Sequence, residues 1–139
     1  MIGIILGSES DWETMLNCSE KLEELKVHHD MVVASAHRAP EKVTEHIKKW
    51  EATGYKIIIA AAGMSAALPG VVASQTNLPV IGVPMKSDLM GIDSLLSIVQ
   101  MPKGVPVACM SVGKHGAINA ALFAKRMLDA VEHPDQYGS

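Results

Sequence analysis

The run Ile2-Gly3-Ile4-Ile5-Leu6 is apolar from end to end and is closed at once by Gly7-Ser8. A strand with one wet face alternates apolar and polar residues, so an unbroken apolar run reads as a strand covered on both faces of a parallel sheet. Comparable runs occur at residues 31–34, 55–61, 78–84 and 107–112, the second of these rich in isoleucine. The segments between them carry helical spacing instead. Trp12, Met15, Leu16, Leu22 and Leu25 outline one helical face, and Val43, Ile47 and Trp50 outline a second behind Pro40, which suits the first turn of a helix. Gly54 closes that second helix, and further helices are expected at about 91–99 and 117–131. Strands alternating with helices predict an α/β protein with a doubly wound parallel sheet.

With 139 residues and no linker, repeat or low-complexity tract, the chain is expected to form one domain. Hydrophobic residues make up 48% and charged ones 19%, a globular balance. Only two Trp, two Tyr and one Phe are present, so aliphatic side chains and nine methionines must fill the core. The net charge of -3, with Lys and Arg spread along the chain, argues against a nucleic-acid groove but leaves room for a local phosphate site. Cys18 and Cys109 form neither a CxxC nor a metal-binding pattern and are expected to be buried thiols, one in a helix and one in a strand. The apolar N-terminus lacks a basic leader and is too short for a signal peptide or membrane span, so a cytoplasmic protein with no membrane partner is expected.

The chemistry is concentrated where runs end. Ser35-Ala36-His37-Arg38-Ala39-Pro40 reads as a strand-to-helix junction. His37 can give and take a proton near neutrality, and the planar fork of Arg38 suits phosphate or carboxylate. Ligands of open α/β sheets bind outside the carboxyl ends of the strands, where both residues are expected. Gly7-Ser8-Glu9-Ser10-Asp11 offers a flexible glycine, two hydroxyls and a carboxylate before a helix, a setting for an anion; alternatively Ser10 or Asp11 is simply the N-cap. The three-glycine dinucleotide fingerprint and the Gly-Lys-Ser/Thr of a P-loop are both missing. Small residues dominate 60–70, either for close approach to a ligand or for tight helix packing. His28 and His29 read as the lead-in to a strand and His46 as a helix-face residue, while Lys114 and His115 read as solvated loop residues before the last helix. Residues 132–139 read as a polar tail.

Four motifs occur in order: Gly7-Ser8-Glu9-Ser10-Asp11-Trp12, Ser35-Ala36-His37-Arg38-Ala39-Pro40, Ala66-Ala67-Leu68-Pro69-Gly70, and Asp93-Ser94-Leu95-Leu96-Ser97-Ile98-Val99-Gln100-Met101-Pro102. Together they resemble the N5-carboxyaminoimidazole ribonucleotide mutase and aminoimidazole ribonucleotide carboxylase family of purine biosynthesis, over essentially the whole chain. The resemblance implies a flavodoxin-like three-layer α/β/α sandwich, usually assembled as a homo-octamer, with a small ribonucleotide as substrate and neither metal nor organic cofactor. It implies that Ser8, Asp11 and Arg38 hold the ribonucleotide, with Gly7, Ser10 and Ser35 in the same binding loops. His37 is then the general acid/base at the imidazole. Gly63, Ser65, Ala66, Ala67 and Leu68 would wall the pocket for the carboxylate or carbon dioxide.

Two features depart from the family pattern. Ala67 stands where the mutase branch usually has histidine, and Ser65 is similar to the branch that uses free carbon dioxide, whereas Leu78 to Pro84 and the Gln100-Met101-Pro102 turn resemble the mutase branch; the resemblance therefore implies a mutase first and a carboxylase second. The chain also stops short of a C-terminal helix common in the family, which leaves the octamer open. A nucleotide-binding paralogue without this chemistry is the non-enzymatic alternative. A flavin carrier fits poorly, because few aromatic residues are available to stack on the ring.

Overall fold

A computed structural model of the chain describes residues 1–64 and 66–137. Five strands form one sheet: β1 (Ile2–Leu6), β2 (His29–Val33), β3 (Ile57–Ala62), β4 (Val80–Pro84) and β5 (Ala108–Cys109). All pairings are parallel, in the order β2-β1-β3-β4-β5, which is the flavodoxin-like arrangement. β1 lies between two neighbours, with Ile2 opposite both His29 and Ile57. That placement explains why it has no polar side chain on either face.

The helices are α1 (Trp12–Glu24), α2 (Pro40–Ala52), α3 (Leu68–Ala73), α4 (Ile92–Val99), α5 (Lys114–Glu132) and α6 (Pro134–Tyr137). Side chains alternate across the sheet and sort the core into two layers. Ile2, Ile4, Leu6, Ile57, Ile59 and Val83 pack with Met15, Cys18 and Leu22 of α1 and with the alanines of α5. Ile5, Ile58, Ala60 and Val80 pack on the other face with Val43, Ile47 and Trp50 of α2, Leu68 and Val72 of α3, and Ile98 of α4. The expected three-layer α/β/α architecture is therefore the observed one.

Several expectations need correcting. α1 buries Met15, Cys18 and Leu22, whereas Trp12 and Leu16 are exposed. The fifth strand, expected over 107–112, has ladder pairing only at Ala108 and Cys109. Pro106 just before it and Pro84 beside it have no N–H to donate, which cuts the regular ladder short. α5 begins at Lys114, so Lys114 and His115 form its first turn rather than a loop. Gly116 looks like a loop glycine in the sequence. In the fold it allows close contact, since a Cβ there would stand 1.7 Å from the Ser111 carbonyl oxygen. The expected polar tail includes the last residue of α5 and the short α6; its Gly138 and Ser139 lie outside the described residues. α3 emerges from the small-residue stretch, where helical packing and a ligand wall were both open.

Among the isolated histidines, His29 is the first residue of β2, with Nε2 2.6 Å from Ser19 Oγ and Nδ1 3.0 Å from the Val27 carbonyl. His46 stacks on Trp50. Both have structural surroundings, as their positions in the sequence led us to expect. Cys18 is buried and Cys109 half-buried, both as free thiols.

Candidate active site at the carboxyl edge of the sheet

In a parallel sheet with helical crossovers, every strand delivers its next loop to the same edge, and the next helices start there. Their N-terminal N–H groups and positive dipole ends therefore gather at that edge. The Gly7–Asp11 segment, the Ser35–Ala39 turn and Gly63, Met64, Ala66 and Ala67 all fall on it. β1 and β3 diverge here into connections that run in opposite directions along the sheet, which opens a crevice between their ends.

The β1 loop is built by its own hydroxyls. The Gly7 N–H donates to the Ala61 carbonyl at 3.0 Å, which carries the ladder one residue past the strand. Ser8 then turns the chain: its Oγ accepts the Ser10 N–H at 3.2 Å and lies 2.9 Å from Ser10 Oγ. A short 3-10 turn, Glu9–Asp11, leads into α1. Ser8 is thus the capping side chain. Asp11 occupies the N-cap position of α1, one of the two positions expected, but its side chain makes no capping bond there. Instead its carboxyl group is pressed into the protein, with the residue only 9% exposed. Burial pushes its pKa up to about 6, and a hydrogen bond with the Ser8 backbone opposes part of that rise.

The β2 loop presents a cation and an imidazole. The Ala34 N–H donates to the Leu6 carbonyl at 2.9 Å, which ties this loop to the base of the β1 loop. Ser35 closes the turn: its Oγ accepts the Arg38 N–H at 3.1 Å and its carbonyl accepts the Ala39 N–H at 2.9 Å. His37 and Arg38 are exposed at the tip, and Pro40 opens α2 behind them. Among the described residues neither side chain has a hydrogen-bond or ion-pair partner, and no such bond joins them to the Ser8–Asp11 turn.

The β3 loop supplies surface without charge. Met64 adopts φ +53 and is 68% exposed. The Ala66 N–H donates to the Gly63 carbonyl at 3.0 Å. Ala66 and Leu68 are buried in the α2/α3 core layer, leaving the half-buried Gly63 and Ala67 nearer the solvent. Ser65 lies outside the described residues. A Cβ on Gly7 would touch Ala62 at 3.6 Å and Leu68 at 3.8 Å, so the β1 and β3 loops are in direct contact. A concavity of about 660 Å³ lies at the opposite edge of the sheet, beside Glu51, Thr76, Pro79 and Pro106. The carboxyl edge is an open crevice by comparison. Among the described residues, no three His, Cys, Asp or Glu side chains gather into a metal-binding group.

A profile of AIR carboxylases matches residues 1–136. The chain belongs to the AIR carboxylase family. The N5-carboxyaminoimidazole ribonucleotide mutase of Bacillus subtilis is 53% identical over 133 residues, covering 95% of this chain and 82% of that protein. The Escherichia coli K12 protein of the same name is 50% identical over 128 residues, covering 91% of this chain and 76% of its own length. Among solved structures, Treponema denticola PurE superposes with a TM-score of 0.84 at 31% identity, covering 92% of this chain and 79% of that one.

Within this AIR carboxylase fold, sequence reasoning missed the loop after β4 as a contributor to the site. The Met85 N–H donates to the Ala62 carbonyl at 3.0 Å, and a Cβ on Gly63 would touch Met85 Cβ at 3.5 Å. The available signal was topological, since the loop comes after the carboxyl end of a parallel strand like the other three.

Proposed function

We infer that this protein is an N5-carboxyaminoimidazole ribonucleotide mutase, forming 4-carboxy-5-aminoimidazole ribonucleotide in purine biosynthesis. What carries the reading to these residues is the unpartnered His37–Arg38 pair at the end of β2, next to a β1 turn lined with hydroxyls and a desolvated carboxyl group. Arg38 supplies a fork for the phosphate, and the Ser8 and Ser10 hydroxyls add donors beside it. Asp11, whose side chain makes no capping bond to α1, accepts hydrogen bonds from ribose hydroxyls. Gly63 and Ala67, backed by the buried Ala66 and Leu68, leave room for a carboxyl group.

The reaction moves a carboxyl group within one substrate. The bond from N5 to the carboxyl carbon breaks, its electron pair stays on nitrogen, and carbon dioxide is released into the crevice. C4 of the ring attacks that carbon dioxide and forms the new C–C bond. C4 then loses its proton, and the nitrogen gains one; His37 carries the proton between them. Holding carbon dioxide against C4 and away from water supplies proximity. The general acid/base role of His37 is supported by its residue type, its position at the strand end and its freedom from other bonds.

We also propose a homo-oligomer, with the family's octamer as the expected form. Leu89, Met90, Ile92, Leu96 and Val99 are all at least 47% exposed on and just before α4, an apolar surface suited to a second copy. No helix among the described residues is long and apolar enough to cross a membrane, and we place the enzyme in the cytoplasm.

The deciding experiment starts from 4-carboxy-5-aminoimidazole ribonucleotide and tracks the products by carbon NMR. Accumulation of the N5-carboxylated isomer is the expected result. Enzyme-accelerated release of aminoimidazole ribonucleotide and carbon dioxide without that isomer would identify a carboxylase, consistent with Ala67 in the pocket wall. No acceleration of either process would leave a nucleotide-binding paralogue.

A further inference from the structure

Lys86 lies on the loop after β4, next to Gly63. Pro84 pairs with Ala62 in the sheet, and the Met85 N–H donates to the Ala62 carbonyl at 3.0 Å. The chain is therefore held against β3 up to the residue before Lys86. One step further, the Lys86 carbonyl oxygen would stand 3.9 Å from a Cβ on Gly63. Met85 is buried in the core, whereas Lys86 is exposed.

The rest of the loop is internally braced. Ser87 Oγ donates to the Asp93 carboxylate and accepts the Gly91 N–H at 3.2 Å, while the Met90 N–H donates to the Ser87 carbonyl at 3.0 Å. Asp93 is thereby engaged by Ser87. Asp88, the other acidic residue of the loop, forms no ion pair with Lys86. Among the described residues, the lysines that do form ion pairs are Lys21 and Lys125, both on helices. Lys86 is thus an uncommitted ammonium on a braced loop. Ala66, Ala67 and Leu68, on the loop that starts at Gly63, have no ionisable group, although on the mutase reading the region they border accepts an anion.

We propose that Lys86 is a specificity-determining residue that pairs with the carboxylate transferred in the reaction, while Arg38 serves the phosphate. The assignment rests on the mutase reading and gives the two anionic ends of the substrate separate cations. A lysine suits the carboxylate end because a single mobile ammonium can track the group from N5 to C4, whereas a guanidinium fork favours one fixed geometry. Lys86 takes no part in bond making.

The test compares two ligands that differ in the carboxylate, using wild-type protein, Lys86→Met and Lys86→Arg. The KM for 4-carboxy-5-aminoimidazole ribonucleotide and the Kd for aminoimidazole ribonucleotide would be measured for each. Loss of a charge-assisted contact predicts a KM about tenfold higher in Lys86→Met, with the Kd for the carboxylate-free ligand within about twofold of wild type. Lys86→Arg should recover most of the lost affinity. Equal weakening towards both ligands, or no change towards either, would overturn the assignment. Circular dichroism confirms the fold of the variants, an undemanding requirement at an exposed position. If the wild-type protein binds neither compound, the mutase reading itself fails and the Lys86 assignment falls with it; wild-type turnover with unaltered Lys86 variants sinks the Lys86 assignment alone.

Discussion

His37 stands at a loop tip without a structural partner, so replacing it should affect chemistry much more than folding. His37→Asn is expected to keep its thermal stability and ligand affinity while turnover falls at least ~100-fold, measured by the NMR assay; near-normal turnover would remove it from the mechanism. Asp11 presents the opposite case, because its burial weighs on stability. Its folded pKa of about 6 is above the ordinary 3.8, so the folded state favours the protonated carboxyl group. The resulting stabilisation is complete below the ordinary value and is lost as pH rises through about 6. At pH 7 the desolvated carboxylate costs the fold about 1–3 kcal/mol. Asp11→Asn should therefore flatten the stability profile between about pH 4 and 7 and raise the Tm at pH 7, while raising KM through the lost ribose contact. Calorimetry across pH checks the first effect, and a Tm at pH 7 below that of wild type would contradict it. Cys18 illustrates burial without function: its thiol is pushed up to about 12, so iodoacetamide should leave it unmodified until denaturant is added.

Packing between elements depends on a few close approaches. A Cβ on Gly3 of β1 would sit 2.5 Å from the ring of Trp50. That ring has little freedom, since its Nε1–H donates to Asp30 at 3.1 Å and it stacks between His46 and Tyr55. Gly3→Ala is accordingly expected to destabilise by about 1–3 kcal/mol and lower the Tm by several degrees, seen by thermal melting. The strands and the longer helices were legible in the sequence because isoleucine-rich runs and residues such as Val43, Ile47 and Trp50 report burial directly. The loops after β1, β2 and β3 were legible too, since each begins where an apolar run stops, whereas the loop after β4 was not read as part of the site. Less legible were the elements set by tertiary contact. Gly3 looks like an ordinary strand residue until Trp50 lies over it, and Gly116 looks like a loop until the nearby Ser111 carbonyl explains why a glycine is needed inside α5. The side-chain capping bond is made by Ser8 rather than by Asp11, the N-cap residue of α1, because a 3-10 turn precedes the helix, a detail that residue types alone do not specify. The place of Lys86 depends on β4 lying beside β3, which comes from sheet order rather than from any local motif.

At the scale of the whole molecule, we propose that copies assemble through the exposed apolar surface on and just before α4. Leu96→Glu, at a position 52% exposed, should reduce the oligomer's mass in sedimentation while leaving the monomer folded; an unchanged mass would place the interface elsewhere. The position of β1 in the sheet has a further consequence during synthesis. The first of these five strands to leave the ribosome is the one that needs neighbours on both sides, and its partner in β3 is Ile57–Ala62. Until that segment emerges, Ile2-Gly3-Ile4-Ile5-Leu6 is an apolar strand with an open edge, which favours pairing with other chains. Translational pausing before β3 should therefore lower soluble yield more than pausing after it, making the codons between Trp50 and Ala62 the sensitive stretch of the message.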